Sequence, residues 1–202
     1  MDVWVLVDFL GTAAFALSGF YAGARGKFDW LGVFVATFLT ALGGGIVRDT
    51  IADRAPFAFT NTMPGIIVVC VLVIAISLKL HKRDSLEQRF LFVLSDTLGL
   101  ASFTITGALV AIEAGFNFCG VVMLGFTTAI GGGVLRDILM NEVPWLLRTG
   151  LYGTIAIVIS ALLYALKQLG LDGAPYIWGL FAFGVAFRLL AYYRSWHLPV
   201  MD

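Results

Sequence analysis

Apolar residues run along this chain in seven blocks separated by short polar breaks, and hydropathy places candidate helices at 3–24, 30–54, 62–80, 90–113, 117–140, 149–168 and 175–194. Each block approaches the roughly 20 residues that a helix needs to cross a hydrocarbon layer about 30 Å thick. One strongly polar loop, Lys79 to Arg89, interrupts the series between the third and fourth blocks. It divides the chain into a first repeat at 3–80, a linker at 81–89, a second repeat at 90–168 and a seventh helix at 175–194.

Composition removes the soluble alternative. Of 202 residues, 60% are hydrophobic and only 13% charged, with a mean hydropathy of +0.94, whereas a soluble domain carries about a quarter charged residues. The pattern therefore predicts an all-α membrane protein forming one transmembrane domain over 1–202, with no separate soluble part. The first block ends near Ala22-Gly23-Ala24, which resembles a signal-peptidase site, but it begins Met1-Asp2 and carries Asp8 within its apolar run. A signal peptide starts with positive charge instead, so the block is expected to be a mature helix.

Basic residues are retained on the cytoplasmic side. Arg25, Lys27, Lys79, Lys82, Arg83, Arg89, Arg148 and Arg194 fall on one side of the predicted spans, and only Arg54 and Lys167 on the other. The N-terminus is thus expected outside and the C-terminus in the cytoplasm.

Shifting the chain by 88 residues lays 8–59 on 96–147 without a gap, with about 18 of 52 positions identical. Asp8 falls on Asp96, Gly19 on Gly107, Thr40 on Thr128 and Pro56 on Pro144, and Gly43-Gly44-Gly45-Ile46-Val47-Arg48-Asp49 falls on Gly131-Gly132-Gly133-Val134-Leu135-Arg136-Asp137. Each repeat holds three predicted helices, an odd number, so the second must enter the membrane from the opposite side. The expected fold is two inverted three-helix repeats plus one C-terminal helix, a symmetry found in transporters and related permeation proteins.

Three consecutive glycines weaken a helix by about 1 kcal/mol each relative to Ala and remove side-chain packing for a turn. The helices are expected to kink or open there, in a place buried in protein or lining a watered cavity. The competing reading is that the glycines only allow close helix packing. The Arg-Asp dipeptide after each triplet favours a functional reading, because charges within spans are costly and face a bundle interior or an aqueous pathway. Neighbouring helical residues point about 100° apart, so Arg48 and Asp49 are expected to find other partners. Depth along the helices nominates Asp8 for Arg48 and Asp96 for Arg136. Asp49 and Asp137 would then be free to attract cations, and the hydroxyls of Thr40 and Thr128, about a turn before the glycines, would either line the path or bond back to their own helices.

Other residues point nowhere in particular. Cys70 and Cys119 lie apart in apolar segments, and His81 and His197 are far from any ligand-type cluster, so no metal or cofactor site is expected. Arg188 lies near the end of the seventh helix and is expected to snorkel to the interface. Trp30, Trp145, Trp178 and Trp196 fall near span ends, as in an aromatic belt. No nucleophile with a neighbouring base and no phosphate-cradling loop suggests an enzyme, and nothing suggests a nucleic-acid partner.

The duplicated Gly-Gly-Gly-x-x-Arg-Asp motif resembles that of the bacterial members of the trimeric intracellular cation channel (TRIC) family, over nearly the whole chain. The resemblance implies a homotrimer in a prokaryotic inner membrane, with seven helices and one pore per protomer, conducting monovalent cations, chiefly potassium and also sodium. It assigns the pore to Gly43, Gly44, Gly45, Arg48 and Asp49 with Gly131, Gly132, Gly133, Arg136 and Asp137. The animal members carry a Lys-Glu-Val pattern in one copy, so the lipid-headgroup binding associated with them does not carry over. A secondary transporter of a small solute such as an amino acid is the main alternative, and a non-conducting scaffold a weaker one.

Overall fold

A computed structural model of the chain describes residues 3–82, 85–148 and 151–196. Every regular element among them is helical: α1 (Val3–Arg25), α2 (Trp30–Ile51), α3 (Phe57–Thr60), α4 (Met63–Ser77), α5 (Ser85–Glu113), α6 (Phe118–Leu139), α7 (Trp145–Arg148), α8 (Tyr152–Gln168) and α9 (Ala174–Tyr193), with a 3-10 turn at Leu80–Lys82. The protein is an all-helical membrane protein. Five helices, α1, α2, α5, α6 and α9, are long and apolar enough to cross a bilayer. The 15-residue α4 and 17-residue α8 rise only about 22 and 25 Å at 1.5 Å per residue, and each follows a one-turn helix.

The polar linker is shorter than its composition suggests, because α5 begins at Ser85 and takes Ser85–Arg89 into its first two turns. Arg83, Asp84, Thr149, Gly150 and His197 lie outside the described residues.

The local devices that set the helix ends recur at the 88-residue offset. Asp29 caps α2 by accepting from the Gly32 amide at 2.7 Å, and Asn117 caps α6 by accepting from Gly120 at 2.9 Å, each satisfying an otherwise orphaned N–H. Lys27 and Gly115, in the turns before these caps, both have positive φ, and so do Asp53 and Asn141 after the two helices, where a left-handed residue closes a helix end.

At the centre α1 packs on α5, α2 on α6, and each of α1 and α5 on the helix that follows it. Phe15 and Phe103, again 88 apart, meet edge-to-face at 5.2 Å in this core. The helix α4 lies outside α1, α8 outside α5 and α6, and α9 against α5 and α8. Large apolar side chains such as Leu31, Val73, Met123 and Phe183 point outward, a surface suited to lipid and not to water.

Candidate permeation site

The glycine triplets lie where α2 crosses α6, and both helices run unbroken through them. This corrects the expected opening of the helices: continuous α-helix extends from Trp30 to Ile51 and from Phe118 to Leu139. In hydrocarbon, each peptide group unpaired by a break costs several kcal/mol, more than the weakness of the glycines. The triplets act instead through missing side chains. A Cβ on Gly44 would stand 2.2 Å from the Thr128 carbonyl oxygen, and one on Gly132 would stand 2.1 Å from that of Thr40. Gly43 is filled by Leu135, and Gly131 lies against the Gly44 Cα. Gly45 and Gly133 face ordinary contacts, no nearer than 3.8 and 3.5 Å. Thr40 and Thr128 donate to their own helices, to the Ala36 and Leu124 carbonyls at 2.6 Å each.

One turn beyond each triplet lies a buried charge cluster. Arg48 Nη1 reaches Asp8 Oδ1 at 2.6 Å and the Thr106 hydroxyl at 3.2 Å. Its Nε and Nη2 also reach the Asp49 carboxylate, at 2.8 and 3.2 Å. The expectation that adjacent Arg and Asp cannot satisfy each other was wrong, because the guanidinium at the end of a long stem reaches the neighbouring carboxylate. Nor is Asp49 free: it also accepts from Arg54 at 2.8 Å and from the Phe57 amide at 2.7 Å.

The second cluster repeats this geometry. Arg136 Nη1 meets Asp96 Oδ1 at 2.8 Å and the Ser18 hydroxyl at 2.7 Å, while Nε meets Asp137 Oδ1 at 2.8 Å. Asp137 then accepts from the Trp145 amide at 2.7 Å. Ser18 and Thr106 escaped the sequence reading, although they share the 88-residue offset. Each hydroxyl oxygen accepts from the arginine of the opposite half's cluster, and Ser18 also donates to Asp96 Oδ1 at 3.3 Å, so the two clusters are bonded crosswise through α1 and α5. The buried arginines each hold two carboxylates, the arrangement that buried charge requires. Among the described residues no group of His, Cys, Asp or Glu could hold a metal ion.

The two ends differ in access. A cavity of about 600 Å³ opens beside Arg136 and Asp137, walled by Phe92 and Trp145 and rimmed by Arg25, Arg89 and Glu142. Beside Arg48 and Asp49 the corresponding space is about 10 Å³. Arg188 also departs from expectation. It is 3% exposed, with its guanidinium carbon 5.2 Å from the Trp145 ring centre and 4.9 Å from that of Tyr152.

A family model described as "Glycine transporter" matches residues 5–82 and 93–168. The UPF0126 membrane protein YvgT of Bacillus subtilis is 31% identical over 97% of this chain and 95% of its own length. A UPF0126 membrane protein of Deinococcus radiodurans is 36% identical over 74% of this chain and 70% of its own, and the UPF0126 inner membrane protein YadS of Escherichia coli is 33% identical over 79% and 76%. Among solved structures, a TRIC cation channel superposes with a TM-score of 0.85 at 30% identity, covering 100% of this chain and 98% of that one. The TRIC trimeric intracellular cation channel orthologue from Rhodobacter sphaeroides gives 0.89 at 27% identity, over 97% and 100%. With its duplicated motif, its helical fold and these matches, the chain belongs to the bacterial TRIC family, within the group that the glycine transporter model describes.

Proposed function

We propose that the protein is a passive channel for monovalent cations, chiefly potassium and also sodium, assembled as a homotrimer with one path in each protomer. The path runs between α2 and α6, past Gly43–Gly45 and Gly131–Gly133, with Arg48, Asp49, Arg136 and Asp137 at its two ends. The two halves are inverted repeats, α4 and α8 complete them as the third and sixth of seven spans, and the N-terminus faces out.

The observation that carries this reading is the pair of side-chain-free surfaces facing each other at the α2–α6 crossing, in a chain with the fold of TRIC cation channels. Backbone touches backbone there, as it would in a closed path. Small separations at such a contact expose carbonyl oxygens, here those of Thr40 and Thr128, without repacking bulky side chains. Carbonyl oxygens are the ligands that replace a cation's hydration shell in a pore.

A second reading is transport of a small zwitterion such as glycine, with alternating access. It is supported by the family description and by a cavity open at one end only, bearing both guanidinium and carboxylate groups. Purified protein in a planar bilayer separates the two. Unitary potassium current steps are expected from the channel. Saturable glycine counterflow without current steps would replace that reading with the transporter.

A further inference from the structure

The first cluster is electrically balanced among its own residues, with Asp8 and Asp49 set against Arg48 and Arg54. The second is not. Among the described residues Asp96 and Asp137 form ion pairs only with Arg136, because the position equivalent to Arg54 is Glu142. Glu142 instead pairs with Arg25 at 3.1 Å on the exposed rim.

The seventh helix, outside the repeat, brings a cation to this place. Its close approach is set by Gly184, where a Cβ would stand 2.4 Å from Ile159 Cδ1 of α8 and 3.6 Å from Ala101 Cβ of α5. One turn later Arg188 enters the protein. Among the described residues its Nε and Nη2 meet no hydrogen-bond acceptor, and Asp96 Oδ2 on α5 meets no cation, only the neighbouring Tyr152 hydroxyl. Arg188 lies over Trp145, the residue whose amide holds Asp137, and over Tyr152. The stacked rings help to hold the cation but cannot neutralise it. The charged and titratable groups facing this space are Asp96 from α5, Arg136 and Asp137 from α6, and Tyr152 from α8; farther out on the cavity rim are Arg89, bonded to the Tyr192 hydroxyl at 3.0 Å, and the Arg25–Glu142 pair.

We propose that Arg188 supplies the second cluster with the cation that Arg54 supplies to the first, acting through space to keep Asp96 and Asp137 ionised together, so that α9 belongs to the charge machinery. In a low-dielectric interior a full charge acts across several ångströms without contact. The proposal rests on the reading of the two halves as one repeated unit, and it holds whichever solute crosses.

Carboxyl protonation can be followed by infrared difference spectroscopy on full-length protein in lipid, with D96N and D137N assigning the bands. Removing a nearby positive charge makes carboxylates take up protons at higher pH. In R188Q the midpoint should move up by about one pH unit or more, within the range a neighbouring charge commands, and R188K should stay near the parent protein. The Glu142 amide bonds the Asp137 carbonyl at 2.9 Å, as the Arg54 amide bonds that of Asp49 at 3.0 Å. E142R therefore places a guanidinium where Arg54 has one, and in the R188Q background it should bring the midpoint back. An unchanged midpoint in R188Q, or no recovery on adding E142R, overturns the proposal. If R188Q does not fold, recovery of folding by E142R supports it and continued misfolding overturns it. Absence of current from the parent protein would remove the channel reading and leave this titration intact.

Discussion

The Arg48 and Arg136 ends are built on one backbone plan and closed by different side chains. At the Arg48 end, Arg54 reaches in to bond Asp49, and the Phe57 ring lies 6.0 and 6.1 Å from those of Trp4 and Phe9. At the other end Trp145 replaces Phe57 and turns toward Phe92, Tyr152 and Tyr192. Glu142 turns outward to Arg25. The result is about 10 Å³ of space at one end and about 600 Å³ at the other. Solute can therefore approach one charge cluster but not its counterpart. The motif fixes the position of the charges, while the residues after it decide which end is open.

That asymmetry makes the buried arginines unequal. Arg48→Met leaves Asp8 without a cation in a sealed site, and breaking a buried pair in this way costs about 3–5 kcal/mol. Arg136→Met leaves Asp96 and Asp137 with Arg188 nearby, as Arg48→Met leaves Asp8 and Asp49 with Arg54, but Asp137 borders the large cavity, where solvent offsets part of the loss. Thermal unfolding in detergent is expected to rank Arg48→Met as the more damaging. The reverse order would mean that the cavity gives Asp137 no useful access to solvent.

The next effect separates glycines within one triplet. Gly44→Ala and Gly132→Ala drive a methyl group into a backbone carbonyl of the facing helix, which cannot move without parting α2 from α6. Overpacking of this kind costs about 1–3 kcal/mol, and solute flux should fall, because the methyl group covers the carbonyl oxygens that a separation of the helices would expose. Gly45→Ala meets nothing closer than 3.8 Å and gains up to about 1 kcal/mol of helix propensity. Equal effects at Gly44 and Gly45 in parallel unfolding and flux assays would mean that the crossing is not the tight point.

The sequence makes some of this visible and hides the rest for definable reasons. Helix rise alone brings Asp8 to the depth of Arg48, and a constant offset marks the paired caps, the left-handed turns and the charge clusters. The state of the glycine helices is hidden, because propensity is a per-residue quantity measured in water, whereas a bilayer penalises every broken peptide hydrogen bond. The bond from Arg48 to its own neighbour is hidden because a Cα direction says little about where a guanidinium on a long stem ends. Arg188 is misread from its position near a span end. What buries it is the approach of α9 at Gly184, a tertiary fact with no local signal.

The smallest expected effect tests how open the cavity mouth is. Arg25 and Glu142 join the end of α1 to the loop after α6, with side chains 59% and 48% exposed. An ion pair in that setting contributes between nothing and about 1 kcal/mol. Glu142→Gln should therefore lower stability by less than Arg48→Met or Gly44→Ala does. Any loss should vanish in about 1 M salt, where the screening length falls to about 3 Å. A loss as large as that of Arg48→Met, or one that persists in high salt, would place Glu142 in a dry environment. The rim would then be a seal, and the two ends would differ in cavity volume but not in access to solvent.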